Sequence, residues 1–289
     1  MPRVPAPLLA VTAIFSVQFG SAVARTHFDE VGPTGAAALR LGFAAVILLI
    51  VVRPRVRHWS RTQWLAAIVL GIALAGMNSL IYLALDRIPL GVAVTLEFTG
   101  PLVLALVQTR RIRDAAWALI AFCGVLLLGL GSSGSVALGG VVLAFGAAAF
   151  WALYIVANSR AGKAIAGIDG LVVAVVVAAV VVIPFGAGRA ATAIASDPRL
   201  VPIFIGVALL TSALPYALEM IALRALPTRV FGVLSSLGPA VAALAGFAVI
   251  GQALTPREIV AIALVTIASV GVTLTVRRVG PPAPPPTSA

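Results

Sequence analysis

Long stretches without one charged residue govern what this chain can become: 4–24, 62–85, 115–159, 170–188, 230–256 and 259–276. A membrane-crossing helix needs about 20 mostly apolar residues. Several of these runs can therefore span, and 115–159 can span twice. Three further apolar segments, 33–52, 88–109 and 200–223, each contain a single ionisable residue, namely Arg40, Glu97 and Glu219. Composition agrees, with 61% hydrophobic and 10% charged residues, where soluble domains carry roughly 45–50% apolar and about 25% charged.

Turn residues and charges predict ten helices, near 7–25, 33–52, 63–85, 88–108, 115–131, 136–158, 169–187, 200–223, 228–250 and 257–276. Valine-rich segments such as 171–183 do not alternate polar with apolar residues. Barrel strands do, so helices are expected. The net charge of +11 does not point to nucleic acid, because the basic residues lie between spans, as membrane orientation requires. Arg53, Arg55, Arg57, Arg61, Arg110, Arg111, Arg113, Arg160 and Lys163 fall on the side shared with both termini, against Arg25, Arg87, Arg189, Arg199 and Arg257 opposite. Both termini are expected in the cytoplasm, with the chain in a bacterial cytoplasmic membrane. The proline-rich tail 279–289 is expected to be disordered.

At an offset of 138 residues, 84–106 aligns with 222–244, matching Pro89 with Pro227 and Gly100-Pro101 with Gly238-Pro239, and ten of the 23 positions are identical. The offset covers five helices, so two copies would lie in the membrane with opposite orientation, 1–134 and 135–278. Inverted repeats of this kind place a transporter's site near the midplane, between the halves.

The stretch Ile88-Pro89-Leu90-Gly91-Val92-Ala93-Val94-Thr95-Leu96-Glu97-Phe98-Thr99-Gly100-Pro101, with Leu214-Pro215-Tyr216-Ala217-Leu218-Glu219 and Pro227-Thr228-Arg229-Val230-Phe231-Gly232 in the second half, resembles the EamA-type branch of the drug/metabolite transporter superfamily. Within it the likeness is greatest to the threonine/homoserine exporters, over residues 7–278. The resemblance implies an all-α membrane protein of ten helices in two inverted five-helix repeats, exporting small amino acids or related metabolites. Two positions depart from the family pattern: Gly238 and Gln252 stand where relatives commonly have Glu.

Glu97 heads the candidate site. An ionised carboxylate at mid-membrane costs about 2.5–3.5 kcal/mol on insertion scales, so it should face a cavity or a partner. Pro101 lacks the N–H that would bond the Glu97 carbonyl, leaving two acceptors at one depth for an ammonium group or a proton. The bland alternative is a protonated Glu97 bonded between helices. Arg40 suits a substrate carboxylate, a pairing with Glu97 or Glu219, or snorkelling. Tyr216 and Glu219 share a face, and Pro215 frees the Thr211 carbonyl; pairing of Glu219 with Arg224 or Arg229 competes with a site role. Trp151, Tyr154 and Asn158 line one helix face, as do Gln18 and Ser21, and Asn78 and Tyr82 on theirs. Cavity lining competes with interfacial belts and helix contacts.

Metal and cofactor sites are not expected: Cys123 is the sole cysteine, and the two histidines sit in separate loops. Gly129-Leu130-Gly131-Ser132-Ser133-Gly134 follows a membrane helix rather than a strand, so it is no dinucleotide motif. The expectation is a secondary transporter of a small molecule, with proton exchange at Glu97 as the candidate energy source. A passive channel for small solutes is the alternative, and an intramembrane enzyme is a weaker one, since one carboxylate without acid, nucleophile or metal is a poor catalytic set. Small-residue runs such as Ala242, Ala243, Ala245 and Gly246 permit close contact within the chain or between chains.

Overall fold

The structure, a computed structural model, describes residues 5–108, 112–129, 137–165, 167–215, 218 and 234–275. Among them every regular element is helical: α1 Ala6–Arg25, α2 Phe28–Val52, α3 Arg61–Leu85, α4 Leu90–Glu97, α5 Thr99–Gln108, α6 Ile112–Gly129, α7 Leu138–Ala164, α8 Asp169–Ser196, α9 Leu200–Ala208, α10 Gly238–Ala245 and α11 Pro256–Thr275. Single π-helical turns, Leu209–Ala213 and Gly246–Ile250, extend α9 and α10. Of the described helices, α1, α2, α3, α7 and α8 are long and apolar enough to cross a membrane, with shorter apolar segments between them. The all-helical expectation holds, while the proline-rich tail lies outside the described residues.

Local chemistry explains most boundaries. Ser60 accepts the Gln63 N–H while the Gln63 side chain accepts the Ser60 N–H, a reciprocal cap that starts α3. The first turn of α2 ends at Gly32, whose φ of +71° suits glycine, and the spanning part resumes at Pro33 as its sequence indicates. Arg189 closes that kink by donating to the Asp29 and Glu30 carbonyls at 2.7 and 3.4 Å.

Three predicted boundaries change. Helix α7 runs past Asn158 to Ala164 because Arg160 and Lys163 are good helix formers and favourable at a helix C-terminus. Helix α8 likewise continues to Ser196. Charged residues mark the membrane edge, not the end of hydrogen bonding. The helix expected over 88–108 has a one-residue irregularity at Phe98, which keeps helical φ and ψ of −63° and −16°, three residues before the donorless Pro101.

Helices α2, α3, α7 and α8 form the densest packing, α4 lies against α7 and α10, α1 against α9 and α10, and α6 against α11. Alanine-rich interior faces, with Ala36, Ala37, Ala44, Ala147, Ala174 and Ala178 fully buried, let these helices approach closely. Outside, Ile50, Leu65, Val107, Val180 and Phe185 stay exposed. In water such a coat would aggregate; in a bilayer it is the lipid-facing surface.

Candidate functional site

The sequence-predicted residues fall into three groups: those drawn to the centre, one left outside, and two beyond the described residues. Gln18, Arg40, Asn78, Tyr82 and Glu97 are all buried. Trp151 and Tyr154 are half-buried, while Asn158 is exposed. Tyr216 and Glu219 lie outside the described residues.

Glu97 is the last residue of α4. The Phe98 N–H still bonds the Val94 carbonyl at 3.0 Å, Pro101 has no N–H to offer the Glu97 carbonyl, and the Leu102 N–H goes to the Phe98 carbonyl at 3.3 Å. Thr95 and Thr99 donate to the Gly91 and Leu96 carbonyls, both at 2.6 Å. The irregular turn is thus ordered by its own hydroxyls, and the Glu97 carbonyl loses its ordinary i+4 donor to Pro101. Beside it, Phe98 meets Trp151 edge-on, with ring centroids 4.6 Å apart. Gly238 makes room for that ring: a Cβ there would lie 2.6 Å from Phe98 Cζ.

Arg40, on α2, is buried and faces Tyr82 on α3, its guanidinium carbon 5.4 Å from the ring centroid. One terminal nitrogen donates to the Thr211 carbonyl at 3.2 Å. Its Nε and the Tyr82 hydroxyl are buried with no hydrogen-bond partner, among the described residues. The charge of Arg40 reaches Glu97 through space. Unmatched buried polar groups are costly; here both belong to one ring-and-cation pair. Asn78 bonds the Leu74 carbonyl of its own helix at 2.8 Å.

Sequence reasoning found the Thr211 carbonyl but missed its neighbour. In the π-turn the Leu214 N–H goes to Leu209, and the following residue, Pro215, has no N–H. The Leu210 carbonyl is therefore orphaned too, and the Ser16 hydroxyl on α1 donates to it at 2.6 Å. Ser16 was missed because a hydroxyl among apolar residues carries no distinguishing signal. Gln252, noted only as a departure from the family pattern, accepts the Leu90 N–H at 2.9 Å and so caps α4.

The arrangement offers a buried cation with spare donors, and a carboxylate paired with a carbonyl that lacks its ordinary helical donor. Those are complements for the two ends of a zwitterion.

Comparisons with known proteins show the family. Residues 138–274 match the EamA-like transporter family. The threonine/homoserine exporter RhtA of Escherichia coli (strain K12) is 42% identical over 273 residues, spanning 94% of this chain and 92% of the relative. The protein of the same name from Salmonella typhimurium (strain LT2) is 43% identical over the same shares. A crystal structure with 18% identity superposes with a TM-score of 0.58, covering 93% of this chain and 96% of the other, which bears on the fold alone. The chain belongs to the EamA-like transporter family; it is a multi-pass membrane transporter and not an enzyme.

Proposed function

We propose that this EamA-family transporter exports threonine, homoserine or a similar small neutral amino acid by alternating access, with both termini in the cytoplasm and the chain in the bacterial cytoplasmic membrane. The relatives' names supply the substrate class. The observation that carries the site is the buried Arg40 guanidinium, whose Nε stands unpaired with the Tyr82 hydroxyl, set against Glu97 at the irregular turn between α4 and α5. The substrate carboxylate is held by Arg40 and Tyr82, and its ammonium by the Glu97 side chain and carbonyl. Trp151 and Phe98 wall the side-chain end, with Gln18, Asn78 and Tyr154 completing the lining.

Two inverted repeats, 1–134 and 135–278, provide the rocking halves. Packing partners come in exchanged pairs: α1 with α9 and α10 against α7 with α3 and α5, and α2 with α9 against α8 with α3. Counterparts α2 and α8, and α6 and α11, also meet each other. A two-fold relation generates such a pattern. It also accounts for helix irregularities at Phe98 and at Ser236-Leu237, which the offset of the repeat makes equivalent.

An ionised Glu97 with no cargo is expensive at mid-membrane, so a proton takes the ammonium's place on the return step, coupling export to the proton gradient. The test is counterflow in proteoliposomes. Unlabelled threonine inside accelerates entry of labelled threonine, and an imposed pH gradient changes the rate. A pore would pass label with no acceleration, and inertness toward every small amino acid offered would end the reading.

A further inference from the structure

Two backbone carbonyls of the π-turn after α9 accept side-chain donors: that of Leu210, whose π-register partner Pro215 has no N–H, and that of Thr211, whose ordinary α-helical partner would be the same proline. Both are taken by the other half of the molecule: Leu210 by Ser16 Oγ of α1 at 2.6 Å, Thr211 by Arg40 of α2 at 3.2 Å. Gly20, one turn on from Ser16, lets α1 lie against that turn, since a Cβ there would come within 2.6 Å of Thr211 Cγ2 and 2.9 Å of Leu210 Cβ. The Thr211 hydroxyl donates to the Val207 carbonyl at 2.6 Å, and it is the Thr211 carbonyl that meets Arg40.

We infer that Ser16 is a positioning residue: by holding the Leu210 carbonyl it fixes the π-turn so that the Thr211 carbonyl competes with the substrate carboxylate for Arg40. This rests on the export reading above. In the empty carrier Arg40 is occupied by a neutral acceptor that ties α2 to α9. A carboxylate is a stronger acceptor for guanidinium than an amide carbonyl, so the cargo takes Arg40 over and unties the halves. Ligands without a carboxylate leave the tie intact, which makes it a filter for amino acids over amines and esters.

The test uses the full chain in proteoliposomes, with threonine as substrate and threonine methyl ester as competitor. S16A removes the donor, and G20A pushes α1 off the turn from a different position. Either change withdraws the Thr211 carbonyl from Arg40, and the half-saturating threonine concentration falls roughly threefold, part of what one hydrogen bond to a charged group is worth. S16T, which keeps the hydroxyl, restores the wild-type value, and inhibition by the methyl ester is the same in every variant. An unchanged or raised half-saturation in both S16A and G20A overturns the inference, as does a methyl ester that tightens in parallel. Wild-type vesicles without threonine counterflow would instead defeat the export reading, and the competition with it.

Discussion

Two helices of this protein carry a proline beside the centre, and they resolve the missing amide in opposite ways. Pro101 leaves only a one-residue irregularity at Phe98, where α4 passes into α5 with helical backbone, and it takes from the Glu97 carbonyl its ordinary helical donor. Before Pro215 the turn widens into π geometry, and neighbours Ser16 and Arg40 take the stranded carbonyls. One proline makes an acceptor that is kept for cargo, the other an acceptor already in use. The same covalent defect therefore gives a site or a tie, according to whether a donor side chain stands opposite.

The largest effect tests the open side of this contrast. E97Q keeps the shape and removes the charge, and threonine counterflow should drop to the background of empty vesicles; counterflow that persists with its pH response would remove Glu97 from the mechanism. Next is R40K, which keeps a cation but loses the fork and the Nε–H. The half-saturating threonine concentration should rise about tenfold, the weight of one charge-assisted hydrogen bond. P101A then returns an amide to the Glu97 carbonyl, and maximal counterflow should fall several-fold with purified protein still monodisperse. P215A makes the same repair in the other helix, yet it should lower the half-saturation by about threefold, because Arg40 loses its resident partner. If the two alanines behaved alike, the contrast would be wrong. Smallest is G238A, whose new methyl must push the Phe98 ring aside, a displacement a flexible side chain absorbs; the relative rates for threonine and larger amino acids should shift by less than about twofold.

How far this was readable from the chain alone depended on what kind of interaction was at stake. Uncharged runs disclosed the helices, and proline chemistry disclosed the Glu97 and Thr211 carbonyls, since both follow from covalent structure. Burial of Arg40, Gln18, Asn78 and Tyr82 followed from polar residues inside apolar segments. The π-turn was illegible, because no residue encodes it; it arises where Gly20 lets α1 press close and Ser16 offers a proton. Arg40 against Tyr82 is a tertiary meeting of α2 and α3 with no local trace. Asn158 misled through periodicity: it shares the stripe of Trp151 and Tyr154, yet at that level α7 buries Ala157 and Ala161 instead and leaves Asn158 outside. The helix ends of α7 and α8 were missed because charge stops at the lipid boundary and backbone bonding does not.

Gly100 has a mechanical consequence. With no side chain between them, the backbone of α5 at Gly100 rests directly on the Ala148 carbonyl of α7. Interlocked side chains resist sliding, but a bare backbone seam has nothing to disengage, so shear along the two axes is cheap and separation is not. Movement of α5 against α7 is thereby steered into an axial glide, with Gly100 as its bearing.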